Sequence, residues 1–548
     1  ESLTTYEPGG PWGETHRQLA AAAPVHIDNV HILANLEPWR WSSPAFTQKA
    51  IQAMHRVHHS KGLHLYPQAS YWDWPYTADR LPDGRRLKQL DRDWMWYRAW
   101  GRYAWNAERS CTVDSGSAAV VTERSYWTHE LADYYGISDE AASHLLNAYD
   151  ETGEIAPKLL RRFGITEGNR QTLLLGMTMG ELVNPYKYTI YPGFYESCGP
   201  EGEKLIEYVE KEYKGLPHKG ELPLDIVDQC VGHGDRALVE MSAAAARPTR
   251  HADEYQRVWN DFLCYASFAK AFQLKVRAAA EVLRYKWTQD ISHLETAVVW
   301  LEQSLSVWHG LSRMTDEWYL YANSMQTAQR RIPVGGDNGK MKTWSELAVV
   351  YQEELDAFKE NIEKLKHPVA QTDVIILPAQ PADVSTVTVL QQPVTTVTLR
   401  KGAILFENRP DTPVDSIAPE LIGLQALVLN RDTTRIVGTS ITYHSDKPVK
   451  LLVGLFKDDD KKFAKAPKLE TDATGNEYGQ AEPVLANAIS IVQMPKVNIH
   501  QYSLPAGRNT IRLPKGILMV AGFTQSDIKP RDCGLNGPSG EVDWLFQK

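Results

Sequence analysis

Polar and apolar positions alternate with a period of two over residues 30–37. Val30, Ile32, Ala34 and Leu36 fall on one face, and His31, Leu33, Asn35 and Glu37 on the other. That is the pattern of a β-strand whose two faces meet different surroundings. A second run, Leu63-His-Leu-Tyr-Pro-Gln-Ala-Ser-Tyr-Trp-Asp73, sets His64, Tyr66, Gln68 and Ser70 on one face. A shorter one, Leu3-Thr-Thr-Tyr-Glu7, opens the chain. Each run ends in a carboxylate beside aromatic residues. Between the last two lies one helix-length segment, 44–61. It starts at Ser42-Ser43-Pro44, a cap followed by proline at the first helical position, and stops at Gly62. Strand, helix and strand in this order predict a parallel pair with a crossover helix.

Downstream the period changes. Asp93–Asn106 reads as a helix, and residues 107–125 read as a loop with no clear period. From about residue 126 to 365 the spacing is helical, most clearly over 139–163, 170–183, 251–286, 291–327 and 343–365. A Pro- and Gly-rich stretch, 184–224, interrupts it and reads as an extended loop. Its Asn184-Pro-Tyr-Lys-Tyr-Thr-Ile-Tyr-Pro-Gly-Phe-Tyr195 is rich in tyrosine and either reaches toward a site or packs on the surface. Residues 366–382 are Pro-rich and aperiodic. From 383 onward β-branched alternation dominates, as in Val384-Ser-Thr-Val-Thr-Val-Leu and Val449-Lys-Leu-Leu-Val-Gly-Leu-Phe. The predicted plan has three parts and a linker. Residues 1–125 form the C-terminal part of a (β/α)8-type α/β barrel, 126–365 an α-helical domain, 366–382 a linker, and 383–548 a β-sandwich. A closed barrel of this type needs eight strands, and only three candidates precede the helical region. The missing strands are therefore expected from a preceding segment or a second chain. The β-sandwich lacks an aromatic cluster and is expected to buttress the helices.

Composition narrows the function classes. A chain of 548 residues exceeds one core. Its net charge of −9 offers no basic surface for nucleic acid. No apolar run is long enough to span a membrane. The five cysteines (Cys111, Cys198, Cys230, Cys264 and Cys533) form no CxxC pair, which argues against a structural zinc site and a disulfide scaffold. His55 and His59 stand at i, i+4 on the predicted helix, but the glutamate of an H-E-x-x-H motif is missing, so no metal is expected. Gly335–Gly339 lacks the Lys-Ser/Thr ending of a phosphate loop, and no G-x-S-x-G elbow occurs. No cofactor is implied.

Tryptophan is concentrated near the start: nine of 17 lie within residues 1–105. Trp94, Trp96, Trp100 and Trp105 sit on the predicted helix and read as core. Trp39, Trp41, Trp72 and Trp74 follow strand ends among Pro, Arg and Ser, where aromatic side chains more often bind ligand. In barrels of this type the chemistry sits where strands end. Carboxylates ringed by indoles and phenols at those ends point to sugar chemistry, and glycoside hydrolysis usually needs two carboxyl groups flanking the scissile bond. Glu7 is assigned as the acid and Glu37 as base or nucleophile, with Asp73 either the true base or a hydroxyl-binding residue. Each has a plainer alternative as an ion-paired or capping carboxylate. Trp12, His16, Asn35, Trp39, Arg40, Trp41, Gln68, Tyr71, Trp72 and Trp74 are the candidate substrate-binding residues. His16 and Arg40 favour an anionic sugar such as a uronic acid. Two other functions remain open: a non-catalytic glycan-binding protein on a barrel scaffold, and a polysaccharide lyase using Tyr71 or His16 as base and Arg40 to neutralise charge.

The strand-end glutamates, Trp100-Gly-Arg-Tyr-Ala-Trp-Asn106 and Tyr126-Trp-Thr-His-Glu-Leu-Ala-Asp-Tyr-Tyr-Gly136 together resemble glycoside hydrolases of the α-glucuronidase type (family 67-like). More distantly they resemble the hexosaminidase-like enzymes that join a barrel to helices. The resemblance covers about residues 1–200. It implies a (β/α)8 catalytic domain, carboxylate catalysis without a cofactor, and exo-acting removal of a sugar. Glu37 and Asp73 match the late-strand positions of that family's carboxylates. The C-terminal β-sandwich departs from the α-glucuronidase plan. By analogy with bacterial glycan-degrading systems, a periplasmic or secreted location is expected.

Overall fold

The structure, a computed structural model, describes residues 21–23, 25, 27–31, 39–56, 59–66, 75–109, 111–113, 120–163, 178–184, 201–320, 343–367, 387–390, 395–456, 484–526, 528, 531–533, 535 and 542–547. Strand β1 (Ile27–His31), helix α1 (Pro44–Arg56) and strand β2 (Gly62–Tyr66) form a β-α-β unit. β1 and β2 are parallel, with Ile27 opposite Gly62 and His31 opposite Tyr66. β1 therefore starts before the expected position at Val30, and residues 32–38 lie outside the described residues. Ser43 caps α1, its hydroxyl accepting from the Phe46 N–H at 3.2 Å. The helix ends at Arg56, earlier than expected. His59 takes a left-handed φ of 56° and the Ser60 N–H closes back on the Met54 carbonyl at 3.0 Å. That reversal removes the helical spacing between His55 and His59.

The helical region follows. It comprises α2 (Gln89–Arg92), α3 (Trp94–Trp105), the hairpin β3 (Cys111–Val113) and β4 (Val120–Thr122), α4 (Glu123–Tyr135), α5 (Asp139–Phe163), α6 (Met179–Val183), α7 (Leu205–Lys214), α8 (Pro223–Ala244), α9 (Ala252–Thr288), α10 (Ile291–Trp318) and α11 (Trp344–Lys366). Helix α7 lies inside the stretch expected to be a loop. Its Leu205-Ile-Glu-Tyr-Val209 carries apolar residues at helical spacing, and Gly215 at φ 63° stops it. The long helix α9 is the spine, packed against α8 and α10 and buried over most of its length. Helices α8 and α9 approach closely at Gly234, where a Cβ would lie 2.9 Å from the Ala266 Cα.

On α3 the buried face is Met95, Trp96, Ala99, Trp100 and Tyr103, three to four residues apart. Trp105 falls off that face and is 89% exposed, which corrects its assignment to the core. The two aromatic segments that carry the family resemblance meet here: the Trp127 indole donates to the Tyr103 hydroxyl at 2.8 Å.

The remaining elements are β5 (Val387–Val389), β6 (Thr396–Thr398), β7 (Val414–Ile417), β8 (Gln425–Leu427), α12 (Arg431–Val437), β9 (Thr439–Ser445), β10 (Val449–Phe456), β11 (Leu485–Ile491), β12 (Val497–Leu504), β13 (Gly507–Leu513), β14 (Leu518–Thr524) and β15 (Arg531–Asp532). One sheet runs β15-β11-β12-β10-β14-β8-β6, with β7 on β11; a second runs β13-β9-β5. The packing of strand β10 explains why its sequence is apolar apart from Lys450. Leu452 and Phe456 enter one core, while Leu451, Val453 and Leu455 enter a second core with Ile441 and Leu513. A strand covered on both faces loses the alternation that a half-exposed strand shows.

The chain returns to the helices at its end. A 3-10 turn, Asp543–Phe546, stacks Phe546 on Phe358 with centroids 4.7 Å apart. The Asn361 side-chain amide donates to the Leu545 and Gln547 carbonyls at 3.1 and 2.9 Å. Asn361→Ala is expected to destabilise the chain by about 1–3 kcal/mol, because it leaves buried carbonyls without donors. Urea unfolding checks this. A midpoint equal to wild type would mean that the C-terminal turn is not anchored through Asn361.

Candidate functional site

The described part of the strand-end region centres on Trp39-Arg40-Trp41, the segment between β1 and α1. Trp39 is fully buried. It stacks on Trp344 of α11 at 5.0 Å and 9°, and meets Tyr265 and Phe268 of α9 edge-on. Trp41 is also buried, and its indole donates to the Gly153 carbonyl of α5 at 3.0 Å. Neither ring has a face open to a sugar, so their assignment to substrate stacking is corrected. Both fasten the strand-end segment to the helices.

Arg40 is expended in the same way. A guanidinium has five N–H donors, and five acceptor atoms on four residues meet this one. Nε and Nη2 fork the Glu254 carboxylate, and Nη2 also donates to Asp79 Oδ1 at 2.8 Å. Nη1 donates to Asp261 Oδ2 at 3.1 Å and to the Tyr319 hydroxyl at 3.2 Å. The Arg40 backbone N–H adds a bond to Asp261 Oδ2 at 2.9 Å, across 221 residues of sequence. No donor is left for an anionic sugar, which corrects the substrate-binding and lyase roles expected of Arg40.

The cluster extends outward. Asp79 also accepts from the Thr77 hydroxyl at 2.7 Å and faces Arg92 at 3.5 Å and Arg257 at 3.3 Å. Arg92 forks Asp93 at 2.9 and 2.8 Å. The Tyr319 hydroxyl donates to Asp261. Burial alone would raise the Asp79 pKa, but Arg40 and Arg92 overcome it and hold it at about 2. Burial wins at Glu254, pushed up to about 6 against the pull of Arg40, and the Asp261 carboxyl is raised for the same reason. Sequence reading missed Asp79, Arg92, Glu254, Arg257, Asp261 and Tyr319. No motif links them, because they come from separate elements: Asp79 from the chain before α2, Arg92 from α2, Glu254, Arg257 and Asp261 from α9, and Tyr319 from the end of α10.

A second buried polar cluster pins α6. The Thr178 N–H donates to the Glu181 carboxylate at 2.7 Å, and Glu354 of α11 accepts from the Met179 N–H at 3.0 Å. Lys275 of α9 lies over the Tyr351 ring, 3.3 Å from its centroid. Met179, Lys275, Tyr351 and Glu354 border a small cavity between α9, α10 and α11, with Ser304 and Trp308 on its wall. Burial pushes Glu181 up to about 7 and raises Glu354, while it lowers Lys275.

Glu7, Trp12, His16, Asn35, Glu37, Gln68, Tyr71, Trp72, Asp73 and Trp74 lie outside the described residues. What the structure defines is their framework. Strands β1 and β2 are parallel, so the segments that follow them leave from the same edge of the sheet. Glu37 follows the end of β1 by six residues, and Asp73 the end of β2 by seven. The Arg40 cluster then clamps the continuation of the first segment to Asp79, in the continuation of the second.

No family model matches the chain, and no curated protein matches it. The solved structure of a GH138 enzyme targeting pectin rhamnogalacturonan II is 53% identical to this chain, with a TM-score of 0.78. The alignment covers 100% of this chain and 62% of that one, so this chain spans less than two thirds of its neighbour's length. The neighbour is named for a family other than the α-glucuronidase type, which gains no support from these comparisons.

Two predictions follow from the clusters. Arg40→Met leaves Asp79, Glu254 and Asp261 facing one another without their shared cation and should cost about 3–5 kcal/mol in urea unfolding. Arg40→Lys, with fewer donors, should fall between that and wild type. A loss below about 1 kcal/mol would show that the cluster is not a fastening. The second concerns pH. Glu181 has a folded pKa raised above its ordinary value, so the stability it contributes is present below the usual carboxylate range. That contribution is lost as pH rises through about 7. Glu181→Gln should therefore weaken the fall in stability between pH 5 and 7, and an unchanged slope across a series of unfolding curves would contradict this.

Proposed function

We propose that this chain belongs to a glycoside hydrolase acting on an acidic, uronic-acid-containing pectic polysaccharide. The observation that carries the proposal is the 53% identity, along the whole of this chain, to an enzyme that targets pectin rhamnogalacturonan II. Identity at that level extends beyond a shared fold. It makes the catalytic apparatus of the neighbour a sound guide to the chemistry proposed for this chain.

In this reading β1, α1 and β2 belong to a (β/α)8-type barrel, and the reaction takes place at the edge where both strands end. The parallel pairing of β1 and β2 supports it, since parallel sheets in such folds carry their chemistry on the carboxyl-end loops. Glu37 and Asp73 are the proposed carboxyl groups from these two loops, with Glu7 as the acid from a third. One protonates the leaving oxygen, and another attacks the anomeric carbon or activates water. Exo-acting removal of a terminal sugar is the finer form of the proposal. With Arg40 fully engaged elsewhere, recognition of a uronate carboxylate falls to the other candidates, His16 among them.

The test is reducing-sugar release from rhamnogalacturonan II, polygalacturonate and neutral pectic oligosaccharides, with wild type beside Glu37→Gln and Asp73→Asn. Loss of a catalytic carboxyl group should lower kcat by about 10²–10⁴-fold while the circular dichroism spectrum and unfolding midpoint stay at wild-type values. Release at the wild-type rate from either variant would remove that residue from the mechanism. Retained polysaccharide binding with no release from wild type would favour a non-catalytic glycan-binding protein.

A further inference from the structure

The three-stranded sheet β13-β9-β5 turns one face into the core and the other to solvent. Ile441, Tyr443 and Ser445 of β9 are buried, and Leu513 of β13 joins them. The opposite face presents Ser440, Thr442 and His444 from β9, Arg508, Thr510 and Arg512 from β13, and Thr388 from β5. Register places these side chains in rows across the strands. Arg508 stands opposite His444, which pairs with Thr388 on its other side; Thr510 stands opposite Thr442, and Arg512 opposite Ser440. The Thr442 and Thr510 hydroxyls are 2.9 Å apart and share a hydrogen bond.

Charge on this face is one-sided. Arg508 and Arg512 are exposed, and neither forms an ion pair among the described residues. Elsewhere in the chain arginine is mostly paired, as at Arg161, Arg277, Arg284 and Arg531. Exposed Lys447 and Lys515 flank the two ends of the pairing. The acidic neighbour is Asp446, 3.3 Å from the His444 ring. In a chain of net charge −9, a face with two unpaired guanidinium groups stands against the prevailing sign.

We propose that the exposed face of β13-β9-β5 is a binding surface for an acidic polysaccharide, with Arg508 and Arg512 each gripping a uronate carboxylate. Charge complementarity selects the anion. Arg508 and Arg512 lie four residues apart on one strand, about 14 Å at a rise of about 3.4 Å per residue. That separation suits successive charges along an extended polymer rather than one small ligand. Planar guanidinium forks bind carboxylates by paired hydrogen bonds. The threonine and serine hydroxyls between them offer partners to sugar hydroxyls. Nucleic acid fits less well, because the rows between the arginines present hydroxyl groups and an imidazole, without the phenyl or indole rings on which bases stack. The choice of a pectic polymer rests on the function proposed above; the cationic face itself does not.

The experiment is binding of the whole protein to polygalacturonate and to fully methyl-esterified pectin, by affinity electrophoresis and calorimetry. It compares wild type, Arg508→Ala/Arg512→Ala and Arg508→Lys/Arg512→Lys. The expected result is a loss of at least tenfold in polygalacturonate affinity for the alanine pair and a smaller loss for the lysine pair. The esterified polymer should show no difference. Hydrolysis of a short oligosaccharide should keep its kcat, with KM raised on the polymer alone. If wild type hydrolyses nothing yet binds polygalacturonate through these arginines, the function proposed above fails and this surface stands. Unchanged polygalacturonate affinity in the alanine pair overturns the proposal. So does equal, arginine-dependent binding of double-stranded DNA. Unchanged binding with new self-association would assign the arginines to protecting edge strand β13 from pairing, which also overturns it.

Discussion

The Arg40 guanidinium is the constraint on which the strand-end region depends. It gathers carboxylates from the loop after β2 and from two positions on α9 around one buried cation, with the Tyr319 hydroxyl closing the ring. Removing charges from water is costly, and such a cluster persists only where geometry satisfies nearly every donor and acceptor. Here the five donors of Arg40 are all used. The return is positional: Trp39-Arg40-Trp41 has little freedom to move relative to the helical spine. A site built from loops needs such a rigid frame, because small displacements of a reacting group are expensive in rate.

Trp39 and Trp41 extend that frame with apolar contacts on either side of the cation. Trp39 fills a slot among Tyr265, Phe268 and Trp344, contributed by α9 and α11, and Trp41 reaches α5. Three consecutive side chains thus attach one short segment to three helices. The helical region is therefore the support to which the described end of that segment is fixed. The C-terminal turn adds to it through Asn361 and Phe358, so the end of the β-rich region is tied to the same core.

Much of the architecture was legible from periodicity. The helices over 139–163, 343–365 and most of 251–286 emerged within a few residues of their observed limits, because a helix buried on one side must repeat its apolar positions every three to four residues. The α7 helix was hidden by the prolines and glycines around it. Trp105 was misplaced because tryptophan content says nothing of phase; a shift of two residues along α3 separates Tyr103 in the core from Trp105 in solvent. Of the candidate site, three residues can be compared with the structure, and all three serve as fastenings. Their Pro-Arg-Ser context reads as loop, and a loop residue's fate depends on what packs over it.

Sequence by itself determined the order of the parts: a strand-helix-strand unit with carboxylates beyond its strands, then amphipathic helices, then β-branched strands. These are local properties, set by which side of each element must avoid water. Only the tertiary structure decided what the aromatic and charged side chains do. Arg40 meets Asp261 across 221 residues, and Arg508 stands opposite His444 in the strand register. The same arginine side chain becomes a buried fastening in the first place and an exposed cation in the second. The difference is made by the partners that folding brings near, and no local pattern encodes them.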